Sequence, residues 1–280
     1  MQTSEELKDI VKEKYSEIAN QSKAQNETSC CGVGGCTTIE YSVFSEDYTK
    51  LKGYNKDADL GLGCGIPTEF VQLKEGDTVL DLGSGAGNDC FVVRELVGKS
   101  GKVIGLDMTD AMINKARENA DKLGFNNVEF RLGDIEDMPI GANSINVIVS
   151  NCVLNLVPDK QKAFRETFRV LKPGGHFSMS DVVLRGELPE SLKSQAEMYA
   201  GCVSGAIQAD EYLNIIKKTG FENITVQKEK QIHLPDEIIN QYLSNQECKD
   251  FRNGAFGIYS ITVFGNKPIN PECDLDTMCC

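Results

Sequence analysis

Three cysteines stand apart from one another in short glycine- or asparagine-bearing segments. Cys64 lies in Leu60-Gly61-Leu62-Gly63-Cys64-Gly65, Cys152 in Ser150-Asn151-Cys152-Val153-Leu154-Asn155-Leu156, and Cys202 in Gly201-Cys202-Val203-Ser204-Gly205-Ala206. Thiolates are the soft ligands of the protein repertoire, suited to thiophilic centres. Zinc sites usually bring their ligands as closely spaced pairs, and these three are isolated; Cys31 and Cys36 have half-site spacing with no second half nearby. Taken singly, each of the three is well explained as a buried, unreactive thiol, as are Cys90 and Cys248. Eleven cysteines in 280 residues, with no basic and apolar export signal at the start, point to a reducing compartment. Metal, metalloid or redox chemistry is therefore weighed ahead of a disulfide framework.

A second chemical signal is the run Val79-Leu80-Asp81-Leu82-Gly83-Ser84-Gly85-Ala86-Gly87. Glycines at a strand-to-helix junction let the backbone approach a ligand and adopt turn dihedrals closed to other residues. Asp107 follows Gly87 by 20 residues, where a carboxylate can accept both hydroxyls of a ribose. A dinucleotide site wants glycine or alanine at the sixth position of its fingerprint, and Asn88 stands there. A cofactor with adenine, ribose and an amino-acid arm, S-adenosyl-L-methionine, fits the layout better.

These residues need a scaffold, and the hydrophobic pattern supplies one. Short apolar runs at 78–82, 103–106, 128–131, 145–150 and 176–181 alternate with helical stretches at 88–97, 110–123 and 159–171, the rhythm of a doubly wound, mostly parallel α/β sheet. Gly124 and Pro173-Gly174-Gly175 suit helix ends. A helix near 209–219 and apolar segments at 224–226 and 258–264 complete a seven-stranded sheet. The expected organisation is an amphipathic N-terminal helix (4–20, with Thr3 or Ser4 as N-cap) and a flexible Cys-rich segment within 1–40. A core that binds S-adenosylmethionine follows at 41–181, then a helical insertion plus the last strands at 182–266, and a disordered Cys-containing tail at 267–280.

Across residues 70–265 the motifs resemble the class I S-adenosylmethionine-dependent methyltransferases. The resemblance implies that Asp81, Gly83, Ser84, Gly85 and Gly87 hold the methionine arm and ribose. It places the ribose hydroxyls on Asp107 and the adenine on Met108, Ile135 and Glu136, with Asn151 beside the cofactor; the last strand would run antiparallel. Methylation of oxygen or an amine usually calls for a general base, and the chain has only His176, which opens a strand, and His233, in a polar connection. Three convergent thiols instead suit trivalent arsenic, which three sulfurs bind pyramidally with an unprotonated lone pair remaining. The segments at 59–65, 79–87, 150–160 and 201–206 are similar to those of the arsenite methyltransferases, over nearly the whole chain from 41 to about 268. That resemblance implies arsenite, or its thiol conjugates, held by Cys64, Cys152 and Cys202, with thioredoxin or glutathione as reductant. Some members of that family carry an N-terminal cysteine that pairs with the loop cysteine; here Cys30, Cys31 and Cys36 all crowd that region. The vicinal pairs Cys30-Cys31 and Cys279-Cys280 could capture arsenic.

Composition sets the outer limits. With 29 basic against 42 acidic residues the net charge is −13, which makes nucleic acid an unlikely partner. The 40% apolar and 25% charged content is that of a globular chain. No apolar run approaches the roughly 18–20 residues of a membrane span, so a cytoplasmic protein is expected. The alternatives are a methyltransferase acting on a small organic acceptor and a non-catalytic arsenic- or metal-binding protein.

Overall fold

The computed structural model describes residues 3–21, 26, 46–189, 192, 203, 205–234 and 236–269. Short, nearly continuous apolar runs, buried on both faces, build the centre of the sheet. Its strands are β1 (Thr78–Leu82), β2 (Lys102–Asp107), β3 (Val128–Leu132), β4 (Ile145–Asn151), β5 (Leu171–Arg185), β6 (Glu222–Gln231) and β7 (Gly257–Asn266), in the spatial order β3-β2-β1-β4-β5-β7-β6. The first five pair in parallel; β7 runs antiparallel to both β5 and β6. This is the class I methyltransferase fold that the motifs led us to expect.

The helices are α1 (Ser4–Ala19), α2 (Asn88–Val97), α3 (Asp110–Leu123), α4 (Lys160–Val170), α5 (Ala209–Lys218), α6 (Asp236–Tyr242) and α7 (Asn245–Arg252). Local chemistry sets their ends. Thr3 and Glu6 form a reciprocal capping box on α1, Ser244 and Glu247 form another on α7, and the Asp159 side chain accepts from Lys162 N on α4. Gly124 closes α3 in the left-handed conformation, with φ 66.

Successive strand residues face opposite sides, and both sides are buried. Val79, Val103, Val147 and Val149 pack with Phe91, Met112 and Ala19 from α1, α2 and α3. Leu80, Leu82, Ile104, Leu106 and Ile148 pack with Phe164 and Tyr212 from α4 and α5. A third apolar cluster sits where β5 and β7 extend past the other strands. It joins Cys64, Cys152, Val182, Val203 and Ile258 to residues of α6 and α7.

Several boundaries differ from the sequence-based expectation. β5 begins at Leu171 and continues to Arg185, because its far half is paired residue by residue with β7. Pro173-Gly174-Gly175 do follow α4, but they fall inside β5, in the irregularity between Leu171 and His176 where its pairing with β4 shifts. β6, at 10 residues, runs well beyond the apolar segment 224–226: it is an edge strand whose Lys and Glu side chains mostly face solvent, so the hydrophobic pattern marks only part of it. α6 and α7 were not foreseen. Most of the expected helical insertion, the segment around Cys30, Cys31 and Cys36, and residues 270–280 lie outside the described residues.

The tail begins later than the expected 267. Lys267 is buried, its backbone bonds Gly175 O and Gly174 N, and its ammonium donates to Phe168 O, Leu171 O and Asn143 Oδ1 at 2.8–2.9 Å. Burial alone lowers its pKa. Lys267→Met would leave two main-chain carbonyls unsatisfied, and urea unfolding should show a loss of about 3 kcal/mol.

Candidate active site

The cleft opens at the carboxyl ends of β1, β2, β3 and β4, where an open α/β sheet leaves backbone groups facing solvent. Gly83 N and Ser84 N both donate to Leu106 O, at 2.7 and 3.0 Å, folding the loop after β1 against β2. Gly83 and Gly85 have φ 66 and 51. A Cβ on Gly83 would strike Val153 at 2.4 Å, whereas one on Gly85 would meet nothing within 4 Å. The loop thus packs tightly behind Gly83 and is open at Gly85. Ser84 Oγ and Asn88 Oδ1 are buried with no hydrogen-bond partner among the described residues, as expected of groups placed for a ligand.

Asp107 ends β2 with both oxygens oriented: Gly85 N donates to Oδ2 at 3.0 Å and Thr109 N to Oδ1 at 2.9 Å. The oriented carboxylate at the cleft wall suits ribose hydroxyls. Burial raises the Asp107 pKa even against these bonds. Asp81 is fully buried, its pKa pushed well up by burial and by neighbouring Asp89, and it accepts the Cys90 thiol at 3.2 Å. Met108, Ile135 and Asn151 line the cleft together with Asp81, Gly83, Ser84, Gly85 and Asp107.

Two of the sequence-predicted cofactor residues lie outside this lining. Gly87 turns the chain into α2 at φ 97, and a Cβ there would meet the Phe91 and Phe130 rings at 2.8 and 2.9 Å. Glu136 is buried behind the wall, accepting from Lys8 Nζ at 2.7 Å and Asp159 N at 3.0 Å. Asp134 takes its place at the wall. Sequence reasoning also missed Tyr48, Asp59, Asp89 and Lys8. In all, Glu46, Asp59, Asp81, Asp89, Asp107 and Asp134 line the cleft against one ammonium, Lys8, among the described residues. Such a field favours a cation.

The thiol loop is tied to the cofactor cleft by a buried polar lock. Asn151 Nδ2 donates to Tyr48 Oη at 2.8 Å and Gly65 O at 2.9 Å, with Asp89 Oδ2 at 3.2 Å; Asn151 Oδ1 accepts from Cys64 N at 3.0 Å. Tyr48 donates to Asp89 Oδ1 at 2.8 Å, and Ser260 Oγ donates to Cys64 O at 2.5 Å. Burial holds the Asp89 pKa at about 6 although Tyr48 and Asn151 stabilise its anion. Cys152 follows Asn151 directly, in the left-handed region at φ 60, with its N–H given to Ser180 O at 2.7 Å. A cysteine in that conformation is strained, and such strain gathers at functional sites.

Cys152 lines the cleft and also belongs to the apolar cluster that contains Cys64. Cys202 lies outside the described residues, but its neighbours are fixed: Val203 is buried in the same cluster, and a Cβ on Gly205 would reach 1.8 Å from Asn155 O. Gly205 therefore abuts the 150–156 segment. Beneath both, Tyr212 donates to Asp181 Oδ2 at 3.2 Å. Its hydroxyl is pushed up first by burial, then by Asp181 and by nearby Cys64 and Cys152. Cys90 is buried on the other side, against Asp81; Cys248 belongs to the same apolar cluster as Cys64 and Cys152 but is turned to the α6 main chain, 3.7 Å from Ile239 O, and does not line the cleft. His176 Nε2 sits 2.6 Å from Val71 O beside Phe264, and neither it nor His233 lines the cleft.

A methyltransferase domain model matches residues 73–220. The arsenite methyltransferase of Halobacterium salinarum is 38% identical over 96% of this chain and 68% of its own length. This chain belongs to the arsenite methyltransferase family. A second member, from Aquipseudomonas alcaligenes, is 32% identical over 96% of this chain and 75% of its own. Among solved structures, the arsenic(III) S-adenosylmethionine methyltransferase of Chlamydomonas reinhardtii superposes with a TM-score of 0.62 at 34% identity, covering 74% of this chain and 68% of that one. Family membership accounts for the cleft, and the polar lock shows how this member fixes its thiol loop.

Two measurements probe the site. Asn151→Ala removes the shared amide, and Cys64 should then react with a maleimide roughly tenfold faster as the loop opens more often, while Cys90 stays protected. Asp181 has its pKa pushed up to about 7 by burial, against Lys160 and the bonds from Val182, Asn155 and Tyr212. Folded chains then keep a proton that unfolded chains have lost, so this group makes stability fall as pH rises from about 4 to 7. Asp181→Asn keeps an acceptor for the two N–H groups, and urea midpoints at about pH 5 and pH 7.5 should lie closer together than in the wild type.

Proposed function

We propose that this chain transfers the methyl group of S-adenosylmethionine to trivalent arsenic held by Cys64, Cys152 and Cys202. The observation that carries the reading is the position of Cys152, which lines the acidic cleft on one side and shares an apolar cluster with Cys64 on the other. No histidine is among the described lining residues, and arsenic coordinated by three sulfurs needs no base, because its lone pair carries no proton.

The residues fit the cofactor. Gly83, Gly85 and the orphaned Ser84 Oγ would take the amino-acid arm, Asp107 the ribose, and Met108 with Ile135 the adenine; the surplus of carboxylate suits a sulfonium and an ammonium. Bound S-adenosylmethionine supplies an electrophilic methyl and leaves as S-adenosylhomocysteine. The protein's part is placement: the lock through Asn151, Tyr48 and Asp89 joins the thiol loop to the cofactor cleft, and holding two reactants in register supplies several kcal/mol of the barrier.

Arsenite, or its conjugate with a small thiol, would enter by exchange, each new arsenic–sulfur bond to a cysteine releasing water or the small thiol. Methyl transfer to the lone pair formally takes arsenic from +3 to +5; two cysteine thiols that returned it to +3 would be left as a disulfide for thioredoxin or glutathione to reduce, chemistry that suits a reducing cytoplasm. No helix among the described residues is long and apolar enough to cross a membrane.

Incubation with arsenite, S-adenosylmethionine and a thiol, followed by arsenic speciation, should yield methylated arsenicals and S-adenosylhomocysteine in step. Arsenite binding without S-adenosylhomocysteine would instead indicate a sequestering protein. Cys152→Ser and Cys202→Ser should each lower the first methylation by roughly 10²-fold or more through lost positioning; wild-type turnover in either variant would refute the three-sulfur site.

A further inference from the structure

The N-terminal helix was read from the sequence only as amphipathic, and the cleft gives it a use. Lys8, Val11 and Tyr15 recur at i, i+3 and i+7, one face of α1, and all three line the cofactor cleft. The helix is fastened at both ends. Lys8 Nζ lies 2.7 Å from Asp134 Oδ2 and 2.7 Å from Glu136 Oε2. Lys115 of α3 donates to Ala19 O at 2.7 Å and Gln21 O at 3.3 Å, closing the carbonyl end. Between the two fastenings, Val11 and Tyr15 stand at the wall alongside Met108, Thr109, Met112 and Ile135.

Strand order assigns an end of the cleft to each charged group. Asp134 follows β3 at the sheet edge, Asp107 ends β2, and Asp81 lies in β1, next to Asp89 and Asp59. The ammonium of Lys8 therefore offsets negative charge only at the β3 end, where the adenine would lie. The carboxylates left uncompensated are those around β1, where the sulfonium and amino-acid ammonium would lie.

We propose that α1 is a structural part of the cofactor site: a strap fastened by Lys8 to Asp134 and Glu136 that covers the adenosyl half of the ligand and must lift for the ligand to leave. This rests on the S-adenosylmethionine reading above. Lys8 is a positioning residue in this arrangement, acting through Asp134 and through the helix that carries Val11 and Tyr15. Because the adenosyl half is common to substrate and product, the strap retains S-adenosylmethionine and S-adenosylhomocysteine alike, and opening of α1 limits how fast the spent cofactor is exchanged.

The test is calorimetric titration of the full chain with S-adenosylmethionine and with S-adenosylhomocysteine, paired with rapid-filtration dissociation rates. Lys8→Met should weaken both ligands by the same factor, about tenfold, chiefly through faster dissociation, with helix content by circular dichroism and arsenite affinity unchanged. Adding Glu136→Gln to Lys8→Met should cost little more, because the two side chains act as one fastening. Val11→Ser, which leaves the ion pairs in place, should also speed dissociation of both ligands. Dissociation within twofold of wild type in both Lys8→Met and Val11→Ser would overturn the proposal, as would weakening of one ligand and not the other. A wild-type chain that binds neither ligand would overturn the cofactor assignment itself.

Discussion

One carboxamide joins the thiol-bearing loop to the sheet. Asn151 ends β4, so its backbone belongs to the rigid sheet, while its side chain holds Cys64 N, Gly65 O, Tyr48 and Asp89. An amide can do this because it offers donors and an acceptor at one point without bringing a charge into a buried place. A carboxylate there would face Asp89, and an aliphatic side chain would leave several polar groups unsatisfied. The next residue, Cys152, is turned by its strained backbone toward the cleft. The distance between the thiol cluster and the cofactor cleft is thus set by main chain and amide together, with no loop left to define it.

Charge organises what the amide positions. The cleft carries a surplus of acidic side chains; burial raises the pKa of Asp81, Asp89 and Asp107, so that a bound cation would draw them toward ionisation, and one lysine offsets charge at one end. A site of this kind is uncomfortable when empty and satisfied by a ligand carrying positive charge. Deeper in the molecule, Asp181, Tyr212, Lys160 and the 154–157 turn form a separate polar cluster under the sulfurs. It anchors the segment against which Gly205 closes.

Features carried by local sequence were legible in advance. The glycine loop, Asp107 and the alternation of strands and helices depend on neighbours a few residues apart, and periodicity shows them. Lys8 was not legible, because its partners lie 126 and 128 residues away and nothing near it in sequence hints at them. Glu136 drew attention as an acid beside a strand end, yet it is Asp134, two residues earlier, that lines the cleft. Gly87 looked like part of the ligand loop and serves the packing of Phe91 against Phe130. β6 escaped full recognition because an edge strand with charged faces lacks an apolar signature, and Lys267 because a lysine among polar residues gives no sign that three acceptors await it.

Cys90 shows how a protein can handle a poison of sulfur without poisoning itself. Its thiol is sealed under the glycine loop, committed to Asp81, with burial and that carboxylate holding it protonated. A protonated, enclosed sulfur is a poor nucleophile; Cys152 is nearly as buried but lines the cleft, whereas Cys90 does not, so a metalloid entering the cleft meets the one thiol and not the other. Selectivity among chemically identical side chains is here a matter of which sulfur the cleft reaches, and a mutation that opened the packing around Cys90 would convert an inert buttress into a point of self-inactivation.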